Sequence, residues 1–214
     1  MRFKQMHIPI LAAWLVLAWI PFAAAEPFRI VGFGDSLMAG YSLAPGEGFP
    51  EKLQAALHER GHDVVIANAG VSGDTTSGGL ARLDWSVPEG TQLVLLELGA
   101  NDMLRGVAPS ITEANLDAML TRLKQRHIGV LLIGMRAAPN LGGDYAARFN
   151  AIYPDLAKLY GVPLYGFFLD GVAAQARLNQ GDGMHPTAEG VDLIVERILP
   201  DVEAFLARLG QTPS

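Results

Sequence analysis

Four short polar segments of this 214-residue sequence gather residue types that catalysis uses: Gly34-Asp35-Ser36-Leu37, Asn68-Ala69-Gly70-Val71-Ser72-Gly73-Asp74, Gly99-Ala100-Asn101-Asp102 and Asp182-Gly183-Met184-His185-Pro186. The chain has no cysteine, so thiolate nucleophiles, disulfides and thiolate metal sites are excluded, and chemistry must come from oxygen and imidazole. Each segment alone also has a plain structural reading. Ser36 and Asn101 suit helix caps or turns as well as a nucleophile and an amide donor. Asp182 and His185 suit a hydrogen-bonded turn or a pair of metal ligands, but a hydrolytic metal site usually needs at least a third ligand. His7 lies in the N-terminal apolar segment, His58 and His127 fall on expected helices and His62 follows a turn at Gly61, so none obviously supplies it. Gly32-Phe33-Gly34 begins a dinucleotide-type glycine pattern, yet Leu37 stands where the third glycine belongs and no Gly-Lys-Ser/Thr follows; nucleotide binding is discounted.

The elements that must position these segments are read from hydrophobic periodicity. From Phe28 onward short apolar runs alternate with longer amphipathic ones, the pattern of parallel strands joined by crossover helices. Strands are expected at Phe28–Phe33, Asp63–Ala67, Leu93–Leu98, Val130–Met135 and Val162–Tyr165. Helices are expected at Phe49–Glu59, Ile111–His127, Tyr145–Tyr160 and Ala188–Leu209, with Pro200 kinking or dividing the last. The fold class is therefore α/β, a three-layer α/β/α arrangement around a doubly wound five-stranded parallel sheet. All four polar segments then face one crevice beyond the carboxyl ends of the strands.

Residues 1–25 are set aside as a signal peptide, because Arg2 and Lys4 precede an apolar run from Ile8 that is broken by Pro21 and ends in Ala23-Ala24-Ala25. The alternative is an uncleaved N-terminal membrane anchor, since Ile8 to Ala25 approaches the length that spans a bilayer. Residues 26–214 are long enough for a single domain with a full core, and Gly210 to Ser214 reads as a frayed tail. A net charge of −6 argues against a surface that neutralises many phosphates, so no nucleic-acid partner is expected.

In order and spacing the four segments resemble the four sequence blocks of the SGNH (GDSL-type) hydrolases, over essentially all of the chain after residue 25. The likeness is greatest to the branch of periplasmic multifunctional thioesterase, protease and lysophospholipase enzymes and bacterial arylesterases. Ser72-Gly73-Asp74-Thr75-Thr76, Leu104-Arg105-Gly106 and Pro139-Asn140-Leu141-Gly142 extend it. The resemblance implies a flavodoxin-like sheet with Ser36 as nucleophile and Asp182 and His185 as orienting acid and general base. It also implies an oxyanion hole from the amides of Ser36 and Gly73 and the side chain of Asn101, with Pro139, Asn140 and Leu141 as a substrate-contacting loop. Leu37, Met38, Tyr41, Met103, Leu104, Leu141 and Met184 lie near the motif loops and suit an acyl groove or ordinary loop packing equally.

These residue types suit acyl transfer. A serine hydroxyl needs an imidazole to take its proton as it attacks, and a carboxylate fixes the tautomer of that imidazole and stabilises its cation. Preorganised donors must then meet the negative charge of the tetrahedral intermediate. Asp35 and Asp102 are expected to cap loop amides rather than move protons. No Gly-x-Ser-x-Gly elbow is present, which sets the chain apart from the other common serine hydrolase fold. The expected activity is that of a serine esterase cleaving aryl esters, acyl thioesters and lysophospholipids through an acyl-enzyme, with neither metal nor organic cofactor required. Its partner is a small acyl ester or thioester, its place periplasmic or secreted without stable membrane insertion after cleavage, and a monomer is favoured. The competing readings are a carbohydrate O-deacetylase of the same fold, which should bear sugar-stacking residues, and a non-catalytic envelope-binding protein.

Overall fold

A computed structural model describes residues 26–211, so the expected signal peptide and residues 212–214 lie outside the described part. The elements run β1 (Phe28–Gly34), α1 (Ser36–Ala39), α2 (Phe49–Glu59), β2 (Val64–Gly70), α3 (Thr76–Ser86), β3 (Leu93–Glu97), α4 (Ala100–Leu104) and α5 (Pro109–Gln125). There follow β4 (Gly129–Ile133), a 3-10 turn (Pro139–Leu141), α6 (Gly143–Tyr160), β5 (Leu164–Tyr165) and α7 (Ala188–Arg208). The five strands form one wholly parallel sheet in the order β2-β1-β3-β4-β5.

Burial along each strand follows its place in the sheet. Central β3, Leu93-Val94-Leu95-Leu96-Glu97, is buried at every residue because helices cover both faces. Edge strand β2 instead alternates buried Val64 and Ile66 with exposed Val65 and Ala67. Helix α2 packs against α7, while α3 packs against α5 and α5 against α6. Right-handed crossovers require this division: the step from β1 to β2 runs one way across the sheet and those from β2 to β3, β4 and β5 run the other, so their helices fall on opposite faces. The reversal leaves a crevice between the carboxyl ends of β1 and β3.

The structure differs from the sequence expectation in several places. Helix α7 continues through Pro200, and α6 through Pro154, because both prolines sit on the exposed face. There the carbonyl left without an amide partner can be hydrated. Apolar Val191, Ile194, Val195, Ile198, Leu199, Val202 and Leu206 hold the other face of α7 against the sheet. Helix α3 was not expected, since Gly78 and Gly79 weaken its periodicity. Its close seat explains one of them: a Cβ on Gly79 would lie 2.3 Å from Leu98 Cδ1. Strand β2 reaches Gly70 rather than ending at Ala67, pairing Gly34 with Gly70, and a Cβ on Gly70 would meet the Ala39 amide nitrogen at 2.3 Å. His127 lies beyond the end of α5 with φ of 56°, not within a helix, and β5 begins only at Leu164.

Candidate active site

The chain leaves β1 through Gly34, whose missing side chain is a steric necessity: a Cβ there would stand 2.5 Å from Glu97 Oε2 and 2.6 Å from the Glu97 carbonyl oxygen. Asp35 then caps α1, accepting the Leu37 amide on Oδ1 at 3.0 Å, and Ser36 opens that helix at the mouth of the crevice. The Ser36 Oγ lies 2.9 Å from His185 Nε2, and His185 Nδ1 lies 2.6 Å from Asp182 Oδ2. The other oxygen of Asp182 accepts the amides of Met184 and His185 at 2.9 and 3.0 Å, so this carboxylate folds its own loop and orients the ring together. The His185 and Met184 amides, and then the His185 ring, hold the Asp182 carboxyl down at about 2, leaving it ionised at all ordinary pH.

The imidazole loop is pinned to the segment after α1 by Gln180, which the sequence reading passed over. Gln180 donates from Nε2 to the carbonyls of Tyr41 at 2.8 Å and Pro186 at 2.9 Å, and its amide donates to the His185 carbonyl at 2.7 Å. The Tyr41 ring lies against the His185 ring with centroids 4.5 Å apart. Nothing in the local sequence signals the link between Gln180 and Tyr41, because 139 positions separate them.

Ser36, Gly73 and Asn101 line one cavity. Among the described residues, nothing accepts a hydrogen bond from the backbone amides of Ser36 or Gly73. Gly73 sits at φ of 82°, a left-handed conformation that glycine tolerates, and its carbonyl accepts Arg105 Nη2 at 2.7 Å. Asp74, next in sequence, is gripped by buried Arg82 at 2.6 Å, and Arg82 also reaches the carbonyls of Gly34 and Ala69, joining the ends of β1 and β2. Asn101, on α4, donates one hydrogen of its side-chain amide to Asp35 Oδ2 at 3.0 Å, which leaves the second. Buried Asp102 braces α4 from behind, accepting the Thr76 amide at 2.8 Å and the hydroxyls of Thr76 and Thr112 at 2.5 and 3.3 Å.

Beneath the serine lies a second carboxyl. Glu97 ends β3 fully buried, its Oε2 accepts the Asp35 amide at 3.3 Å, and its Oε1 has no partner. Burial pushes the Asp35 carboxyl up to about 6 and the Glu97 carboxyl well above its ordinary range. A charged residue inside an otherwise apolar expected strand was the only sequence signal for Glu97.

The triad opens on a cavity of about 370 Å³, walled mainly by apolar side chains, with Leu37, Met103, Leu104, Met135, Leu169, Ala173, Ala174 and Met184 among its lining. Tyr41, Ser36, Gly73, Asn101 and His185 face it as well. Pro139, Asn140 and Leu141 are not among the lining residues; their 3-10 turn stands beyond Ala138, which forms the wall on that side. Met38 is wholly buried against Gly32 and Gly34 and does not reach the cavity, whereas Met135, Leu169, Ala173 and Ala174 do, though they are remote in sequence from any motif.

Residues 33–193 match the GDSL-like Lipase/Acylhydrolase family. The chain is 39% identical over 194 residues to an arylesterase of Vibrio mimicus, covering 90% of this chain and 97% of that one. It is 38% identical over 193 residues to thioesterase 1/protease 1/lysophospholipase L1 of Escherichia coli (strain K12), covering 90% and 89%. Its structure is similar to the crystal structure of AlinE4, a SGNH-hydrolase family esterase, with a TM-score of 0.72, 45% identity and coverage of 86% of this chain and 99% of that chain. With its five-stranded parallel sheet and its motif segments gathered at one crevice, the chain belongs to the GDSL-like lipase/acylhydrolase family, the hydrolases of the SGNH type.

Proposed function

We propose that this chain is a serine esterase that cleaves carboxylic esters and thioesters of small acyl substrates, with aryl esters, acyl thioesters and lysophospholipids as its substrate classes. The observation that carries this reading is the unbroken chain from Ser36 Oγ through His185 to Asp182, at 2.9 and 2.6 Å, opening on an apolar cavity. His185 Nε2 takes the Ser36 proton as Oγ bonds to the acyl carbon, and Asp182 stabilises the imidazolium through Nδ1. The carbonyl oxygen, now negative, is met by the amides of Ser36 and Gly73 and by the free N–H of Asn101. His185 then returns the proton to the leaving alcohol or thiol, leaving an acyl-Ser36 ester. A water molecule, deprotonated by His185, attacks that ester and releases the acid.

The apolar walls favour an acyl chain over a sugar ring, and Trp85, 75% exposed on α3, is absent from the cavity lining. Met103, Leu104 and Met184 with Leu37 form the acyl-contacting surface near the triad. Residues 26–214 act as one domain released from the signal peptide of residues 1–25, in a periplasmic or secreted setting. Among the described residues no helix is long and apolar enough to cross a membrane.

Hydrolysis of a chromogenic ester series from acetate to laurate, with Ser36→Ala alongside, tests the proposal. Activity that disappears in Ser36→Ala supports it, and the best chain length measures the cavity. Undiminished hydrolysis by that variant defeats it, and a protein inert to every ester points to a deacetylase or a binding protein.

A further inference from the structure

Glu97 is a buried ionisable group that takes no part in the mechanism above. It is wholly inaccessible, no cationic side chain among the described residues forms an ion pair with it, and it touches the amide of the residue before the nucleophile. Such a group is costly to bury as an anion, and here a second carboxyl, that of Asp35, is its neighbour. The two are not equivalent. The Asp35 carboxylate accepts two N–H donors, from Leu37 and from the Asn101 side chain, each at 3.0 Å. Glu97 accepts one amide at 3.3 Å and has an oxygen with no partner. The negative charge is therefore better solvated on Asp35, and the proton on Glu97. The groups facing the pair agree with that assignment. His185 favours a charge on Asp35, Asp74 opposes it but is neutralised by Arg82, and the Tyr153 hydroxyl near Glu97 is occupied with the Leu98 carbonyl.

We infer that Glu97 is a positioning residue of the oxyanion hole: a buried carboxylic acid that keeps its proton, donates it to Asp35, and through the Asp35 carboxylate fixes the Asn101 amide with one N–H free for substrate. The acid never touches substrate and transfers no proton in turnover. Its work is to lock Asp35, whose two oxygens already hold the start of α1 and the side chain of α4, so that the serine and the third oxyanion donor keep one spacing. This rests on the triad reading given above.

The test uses Glu97→Gln and Glu97→Leu in the full protein, each alone and with Asn101→Ala, with Ser36→Ala as control. Glutamine keeps an oxygen for the Asp35 amide and offers the Asp35 carboxylate an N–H in place of the proposed O–H, and should keep kcat within about twofold. Leucine removes both. Its kcat should fall between about tenfold and a hundredfold with KM unchanged, less than the 10² to 10³ of outright donor loss, and the fall should vanish in the Asn101→Ala background. Should the leucine variant not fold, infrared spectra of wild type and Glu97→Gln at neutral pH decide alone: wild type should show the carbonyl stretch of a protonated carboxyl that Glu97→Gln lacks. No such band, a glutamine variant as slow as leucine, or an additive cycle with Asn101→Ala would each overturn the role of Glu97. Hydrolysis surviving in Ser36→Ala would instead sink the triad reading, while the infrared result would still report on Glu97.

Discussion

Replacing Gly73 by alanine separates backbone strain from catalysis, because the structure contains a matched control. Gly73 has φ of 82° and a Cβ placed on it would meet only Arg105 Nη2, at 3.6 Å. Gly90 has φ of 83° and its Cβ would meet only Arg29 Nη1, at 3.5 Å, but it lies before β3, at the end of the sheet away from the crevice. Neither position lacks room, so alanine costs both sites the same left-handed penalty of about 1 to 2 kcal/mol. At roughly 2 to 4 °C per kcal/mol for a chain of this size, both variants should melt a few degrees lower and by similar amounts. Their kinetics should part. In Gly73→Ala the strained backbone turns the amide assigned to the oxyanion, and losing one such donor costs about 10² to 10³ in kcat, so a fall of about a hundredfold with little change in KM is expected. Gly90→Ala should keep its wild-type kcat. Thermal unfolding and ester hydrolysis on the two purified variants settle the matter, and equal kcat values would refute a catalytic role for the Gly73 amide.

His185→Ala should lose about a thousandfold or more in turnover while its unfolding transition stays intact, measured by ester hydrolysis and circular dichroism. Gln180→Leu removes the side-chain tie from the imidazole loop to Tyr41, at the start of the α1–α2 connection, and a second one within the loop to the Pro186 carbonyl; at about 0.5 to 1.5 kcal/mol each, their loss should lower kcat about tenfold, and an unchanged kcat would show that the backbone bond to His185 suffices. Glu97 is a carboxyl whose value is raised on folding, so the folded protein binds more protons than the unfolded one above about pH 4.5, and stability falls as pH rises from there. Glu97→Gln removes the contribution of Glu97 to that dependence: denaturant titrations should show wild type losing ground to the variant as pH rises above about 4.5, and a constant difference would contradict the raised value. Asp182 has the opposite sign. Its value is lowered from 3.8 to about 2, so the stability it lends is fully present above the ordinary aspartate range and is lost as pH falls from there through about 2. A carboxyl resonance of Asp182 titrating near 4 in the folded protein would contradict this.

Much of the fold was legible because burial writes itself into local pattern. The run Leu93-Val94-Leu95-Leu96 reads as a doubly covered strand, and α2 begins and ends where its apolar spacing and Gly61 place it. What escaped depended on contacts between remote residues. Helix α3 hides behind Gly78 and Gly79, and only the proximity of Leu98 explains why Gly79 is needed. Pro200 breaks a helix in a local rule, but here an exposed carbonyl and a strongly apolar opposite face override it. At the site, the motif segments announced which residue types meet, and the structure brings Ser36, His185 and Asp182 into one hydrogen-bonded chain. The partners that fix them were not announced. Gln180, Arg82 and Glu97 act on atoms of distant segments, and the acyl walls at Met135, Leu169 and Ala173 become walls only once β4 and the loops after β5 are folded over the crevice.

Covalent labelling tests the central claim most directly. An organophosphonate should inactivate the protein stoichiometrically, and peptide mass spectrometry should place one adduct on Ser36, with Ser36→Ala neither labelled nor active. A label on another residue, or hydrolysis persisting in unlabelled Ser36→Ala, would contradict the assignment of Ser36 as nucleophile.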